Sequence, residues 1–258
     1  MEKLKYVPFW DTLDLDYRPY RNTMVIFLFR FIMQMMHVHF MLHPDENWQS
    51  LEVAYDLVYG KRGSSNNQVE INLSWEFNNK YSLRNHLYPF WLSMPTFLLR
   101  SVGWDTNFLV VNSMYAMHCV LWTLGDFYFF HLVKVLAGRR CAVLAVLCSL
   151  QHDDLFRFVS RVSSNGVEGA FVIAAFYHFI QMKPQIFDPS INKMVLWITL
   201  AFITRSSSLV PWVPLALLKM LEDNYFLPFL VSGLAVTVPL CALSVAIDSF
   251  FYGVVTIP

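Results

Sequence analysis

The sequence predicts an all-α fold: a polytopic membrane helix bundle whose first luminal loop contains an amphipathic helix. Three observations predict it. The 258 residues are 56% hydrophobic and only 15% charged, whereas a soluble domain carries roughly a quarter charged residues. Apolar stretches recur along the whole chain, several near the ~20 residues that a helix needs to cross a bilayer. Arg30, Asp126 and Arg205 stand inside such stretches, where an ionisable group is costly and faces a bundle interior or a wet cavity. The formal net charge is zero and no long basic or acidic run occurs, which argues against nucleic-acid binding. The whole chain, 1–258, reads as one membrane domain.

Residues 1–22 precede the first span. Lys3, Lys5, Arg18 and Arg21 favour a cytosolic N-terminus. The segment is too acidic and too long for a cleaved signal peptide, so the first span, about Met24 to Met41, is expected to stay as an anchor. Arg30, Gln34 and His37 share one helical face, as an internal hydrogen-bonding stripe or as the lining of a substrate cavity. A polar loop, 42–85, follows on the luminal side. In it "DENWQSLEVAYDLVYG" spaces Trp48, Leu51, Tyr55 and Val58 as one apolar face, an amphipathic helix suited to the bilayer surface. Asn72 opens a glycosylation sequon, "NLS".

Further apolar stretches cover about Leu87–Val102, Phe108–Leu136, Ala142–Leu150, Gly166–Met182, Met194–Leu218 and Phe226–Ile247, giving six to eight spans. The second is long enough to break at Gly125–Asp126. Cys119, Cys141, Cys148 and Cys241 all lie in apolar stretches without a CxxC pair and read as free, buried thiols.

The chemistry-bearing residues fall in three places. "LHPDENWQSLEV" puts His43, Asp45, Glu46 and Gln49 where the first span meets the lumen. Adjacent helical residues point about 100° apart, so Asp45 and Glu46 cannot serve one atom equally. One carboxylate suffices to deprotonate an attacking hydroxyl, whereas glycoside hydrolysis needs two. The same acids also fit an ordinary helix start. His37, His39 and His43 invite a metal with Asp45, but Pro44 breaks the spacing, and no metal or other cofactor is expected. "SRVSSNGVEGAF" holds Arg161, Asn165 and Glu168 at a helix start, where an acid favours the helix dipole. "TRSSSLVPW" holds Arg205 beside hydroxyls, suited either to phosphate or to a salt bridge with Asp126 or Asp248.

Taken in order, "HPDENWQSLEV", "SWEF" followed by Arg84 and "LYP", "SRVSSNGVEG" and "DSFFYG" resemble the dolichol-phosphate-mannose-dependent mannosyltransferases of the endoplasmic reticulum. That family is glycosyltransferase family 22, with the glycosylphosphatidylinositol (GPI) mannosyltransferases and their N-glycan relatives. The resemblance runs from about Leu42 to Gly253. "HPDE", Glu52–Val53 with Asp56, "WEF" and "SNGVEG" are similar to members adding the fourth GPI mannose. "WQSLEV" and "LVPWVPLAL" are similar to members adding the third.

The resemblance implies a GT-C fold with the reactive acid in the first luminal loop, in a multi-pass protein of the endoplasmic reticulum membrane. It implies dolichyl-phosphate mannose as donor, a GPI glycolipid as acceptor, and an inverting α-1,2 transfer, with the fourth-mannose step favoured. It points to Asp45 as the acid acting on the acceptor hydroxyl, with Glu46 as partner or alternative base. His43, Gln49, Trp75, Glu76, Arg84, Arg161, Asn165, Glu168 and Arg205 are the expected substrate contacts. The alternatives are the third-mannose step, an N-glycan mannosyltransferase, or a truncated non-catalytic membrane subunit, because the family's members are much longer. A transporter reading of Arg30, Asp126 and Arg205 lacks the paired Gly/Pro-broken segments of such proteins. The family carries Arg-Pro-Thr where this chain has Arg205–Ser206–Ser207, so a local helix break supplied by proline is expected to be missing.

Overall fold

The computed structural model describes residues 15–16, 18–37, 47–60, 73–77, 84–151, 162–186, 188–221 and 225–253. Among these residues the regular structure is all helical. The α-helices are α1 (Pro19–His37), α2 (Glu52–Tyr59), α3 (Leu87–Val102), α4 (Asn107–Ala137), α5 (Arg139–Gln151), α6 (Ser164–Gln181), α7 (Pro189–Thr204), α8 (Leu209–Leu221), α9 (Phe226–Ser232) and α10 (Val238–Tyr252). Their ends carry the expected signals. Thr106, Ser163 and Asp188 cap α4, α6 and α7 with side-chain oxygens that accept backbone N–H groups, and Pro189 opens α7. Gly103, at φ 76°, closes α3 in the left-handed conformation.

α4 is the hub, with α1, α3, α5 and α6 packed on it, and α6 pairs in turn with α7. α4 runs unbroken through Gly125–Asp126, contrary to the expected break. Gly125 serves close packing instead: a Cβ there would stand 2.9 Å from Cβ of Ala170 on α6. Small residues of this kind let membrane helices approach. Asp126 is occupied by α1. It accepts from Arg30 Nε at 2.9 Å and from Nη2 at 2.7 Å, and both side chains are buried. Gln34 is buried one turn further along α1. The Arg30–Gln34 stripe therefore faces the bundle interior. The side chain of His37 lies outside the described residues.

α4 and the continuous run Phe226–Tyr252, made of α9, a π-helical turn at Gly233–Thr237 and α10, are long and apolar enough to cross a membrane. In the second run the outward face carries Leu234, Val238, Leu243 and Phe250, all exposed. The residues that α10 buries are Ser244, Asp248 and Tyr252. Apolar outside with polar inside is the arrangement a bilayer selects.

The loop helix keeps Leu51, Tyr55 and Val58 of its expected apolar face toward the core, and only Trp48 departs from it. Asn47–Leu51 is a π-helical turn, which inserts an extra residue and rotates the helix after it. α2 buries Val53, Ala54, Leu57 and Val58, while Trp48 is half exposed. The buried face packs on α3: Ala54 joins Tyr88 and Leu92 in one core cluster. At the far end Arg100 donates to the Val58 carbonyl and lies 5.1 Å from the Tyr59 ring centroid. Tyr59 donates to Asp105 at 3.1 Å. Burial, followed by the Asp105 hydrogen bond, pushes the Tyr59 phenol up to about 12.

Two further expectations are corrected. Cys141 and Cys148 are exposed, because they fall on the outward face of α5, and only Cys119 is fully buried. The stretch Met194–Leu218 is two helices. α7 ends at Arg205, whose backbone is extended (φ −151°, ψ 120°), and a 3-10 turn at Ser206–Ser208 leads into α8. The break thus exists without the proline. Pro211, in the first turn of α8, has no N–H with which to continue a helix from α7.

Candidate functional site

The break at Arg205 faces the corner that precedes α3. Between them lies a cavity of about 530 Å³, walled on its third side by α10. Arg84, Asn85, Arg205, Ser206, Ser207 and Ser244 supply its polar lining; Phe202, Ile203 and Val245 are among its apolar residues.

Each arginine is held from behind by a carboxylate. Glu76, in a 3-10 turn at Trp75–Phe77, accepts from Arg84 Nε at 3.2 Å and from Nη2 at 3.4 Å. On α6, Asn165 accepts a hydrogen bond from Arg205 Nη1, and Glu168 lies 3.5 Å from the same nitrogen. Among the described residues the lining includes Arg84 and Arg205 and no acidic residue. A guanidinium has five donors in a rigid fork that matches phosphate oxygens. Two arginines lining one cavity beside serine hydroxyls bring together donors of the kind that an anion takes.

The corner that carries Arg84 is fixed from α10. Asp248, fully buried, accepts from the His86 backbone N–H at 2.7 Å, from His86 Nδ1 at 3.0 Å and from Asn85 Nδ2 at 2.6 Å. Ser244 accepts a further bond from Asn85, and the Tyr252 hydroxyl donates to the Arg84 carbonyl at 2.7 Å. Asn85, just before the N-cap residue His86 of α3, accepts from Leu87 N through its Oδ1 at 2.6 Å. Aromatic contacts from Phe77, Phe251 and Tyr252 enclose the His86 ring.

Of the residues expected from sequence, the structure brings Glu76, Arg84, Asn165, Glu168 and Arg205 to this one site. Asp126 and Asp248, considered as partners for Arg205, are taken by Arg30 and by the Asn85–His86 corner. Gln49 sits in the π turn before α2 and is partly buried. His43, Asp45, Glu46, Asn72 and Arg161 lie outside the described residues, as does the side chain of Trp75. Asn85, His86 and Ser244 were missed, Asp248 was weighed only as a partner for Arg205, and Tyr252 was seen only as part of a motif. The available signal was polar residues at four-residue intervals, Ser244, Asp248 and Tyr252, on an otherwise apolar helix.

A profile of the Alg9-like mannosyltransferase family matches residues 23–258. The chain belongs to that family. The family assignment agrees with the order of the sequence motifs and with an all-α membrane bundle. The chain is 26% identical over 180 residues to mannosyltransferase APTG1 of Arabidopsis thaliana, covering 69% of this chain and 31% of that protein. It is 28% identical over 221 residues to GPI alpha-1,2-mannosyltransferase 3 of Danio rerio, covering 81% and 37%. A shorter match of 83 residues, 37% identical, joins it to GPI mannosyltransferase 3 of Trypanosoma brucei brucei. The chain thus spans about a third of the length of the plant and vertebrate family members. No solved structure matches it.

Proposed function

We propose that the chain carries the donor-binding part of a membrane mannosyltransferase of the endoplasmic reticulum, with its active site facing the lumen. The donor is dolichyl-phosphate mannose and the acceptor is a GPI precursor glycan. The observation that carries this reading is the cavity lined by both Arg84 and Arg205, each paired with a glutamate, Glu76 and Glu168, that is not among its described lining residues. A lipid-linked sugar phosphate presents a phosphate near the bilayer edge, and two guanidiniums are suited to it in the ground state and as a leaving group.

The transfer needs one base. An acceptor hydroxyl oxygen attacks the sugar's anomeric carbon. The bond from that carbon to the phosphate oxygen breaks, and its electron pair stays on the dolichyl phosphate. The hydroxyl proton passes to Asp45, with Glu46 as its partner or substitute. Attack from the face opposite the leaving group inverts the β-linked donor to an α product. His43, Gln49, Trp75 and Arg161 are proposed to contact sugar or acceptor, and Asn165 to hold Arg205 in place.

The names of the relatives support α-1,2 transfer to a GPI glycan. They weight the step toward the third mannose, over the fourth favoured by the sequence motifs. Complementation tests this. Cells lacking either enzyme receive the chain or its Asp45→Asn variant, and GPI lipids are counted by mannose number. Restored addition of the third mannose by the chain, and not by Asp45→Asn, is expected. Restoration of neither step rejects the enzyme reading, and equal restoration by Asp45→Asn rejects the base.

A further inference from the structure

α10 is built backwards for a packing helix. Its apolar residues Val238, Leu243 and Phe250 are exposed, while its buried residues are Ser244, Asp248 and Tyr252, spaced every four positions. This stripe makes successive bonds to three consecutive residues: Ser244 and Asp248 to Asn85, Asp248 to His86, Tyr252 to the Arg84 carbonyl. The partners are between 159 and 168 positions apart in sequence.

In a bilayer polar side chains are the usual means of attaching one helix to another, but here all of them converge on a single corner, Arg84–His86. The corner's one cavity-lining cation is Arg84. Its side chain is held by Glu76 and its main chain by Tyr252, so the guanidinium is clamped at both ends. A charged group displaced by about 1 Å from its productive position forfeits much of its effect. We infer that Ser244, Asp248 and Tyr252 form a positioning stripe whose task is to hold the Arg84 guanidinium in the cavity opposite Arg205. The inference rests on the reading of that cavity as an anion site.

Cys241 lines the same cavity and reports its potential without any ligand. In the full chain, Cys119→Ala, Cys141→Ser and Cys148→Ser leave Cys241 as the single thiol. Its rates with sulfonate-bearing and ammonium-bearing methanethiosulfonates are then compared. Two guanidiniums favour the anionic reagent by about fivefold. Tyr252→Phe, which deletes one hydrogen bond and keeps the ring, is expected to bring this preference at least halfway back to parity, and Ser244→Ala to act in the same direction. In an Arg84→Gln background Tyr252→Phe should add nothing, since both act through one group.

A stripe that only stabilises the fold predicts a lower Tm for Tyr252→Phe with the preference unchanged, and that result overturns the inference. Resistance of Cys241 to both reagents also overturns it. Polyisoprenyl monophosphate, added as a probe, separates the two readings. If the preference responds to Tyr252→Phe but the probe fails to protect Cys241, the positioning stands and the donor assignment falls.

Discussion

Arg30 and Asp126 form a two-point ion pair at 2.9 and 2.7 Å in the interior of the bundle, joining α1 to the hub helix α4. Side chains 3% and 4% exposed leave no water to compensate either charge alone. Asp126→Ala is therefore expected to destabilise the protein by about 3–5 kcal/mol. The double substitution Arg30→Met with Asp126→Leu removes both charges and should restore most of the loss. Thermal unfolding in detergent compares the two. A double variant as unstable as the single would show that the pair does more than neutralise itself.

The contact of Gly125 with Ala170 gives a second test. A methyl group at 125 would stand 2.9 Å from the Ala170 Cβ and 3.2 Å from its Cα. Since the backbone atom cannot yield locally, Gly125→Val should separate α4 from α6 at a cost of about 1–3 kcal/mol. Gly125→Ala combined with Ala170→Gly should be milder than Gly125→Ala alone, as read from Tm.

At the Arg205 break the backbone already has the form that precedes a proline. Arg205 is extended, and Ser206 opens the following 3-10 turn. Ser206→Pro should therefore be neutral or stabilise by about 0.4–1 kcal/mol through the unfolded state. Thr204→Pro, inside the last turn of α7, should destabilise. A large loss of Tm with Ser206→Pro would mean that the serine hydroxyl or N–H matters where the extended backbone does not.

Tyr59 provides a pH signature outside the membrane-crossing helices. Burial and the hydrogen bond to Asp105 raise its phenol to about 12, against the usual value near 10. The folded state thus favours the neutral phenol. The resulting stability is fully present below pH about 10 and is lost as pH rises toward 12. Ultraviolet titration should show a late tyrosine ionisation that Asp105→Asn brings down.

The legible parts of the fold were those set by local pattern. Apolar runs placed most helices to within a few residues, and the motifs named both site arginines and both of their acids. The features that stayed hidden depend on distant partners or on backbone register. Nothing near Asp126 or Arg30 in sequence says that they meet 96 positions apart. The π turn at Asn47–Leu51 takes Trp48 off the face that Leu51, Tyr55 and Val58 keep, and the burial of Val53 and Ala54 depends on packing that the spacing does not show. The break at Arg205 was hidden because no proline stands at the position where the family has one, and the extended backbone of Arg205 cannot be read from its neighbours. Asp248 looked like a candidate for the nearest cation, and its true partners are an amide, an imidazole and a backbone N–H across the bundle.

The central claim is that the cavity between Arg84 and Arg205 receives the phosphate of a lipid-linked mannose. Transfer of labelled mannose from dolichyl-phosphate mannose to GPI lipids, in microsomes containing the chain or its Arg205→Gln variant, tests it most directly. The account predicts labelled product with the unaltered chain and a loss of about 10- to 100-fold with Arg205→Gln at equal protein levels. No product from the unaltered chain, or equal product from Arg205→Gln, would contradict it.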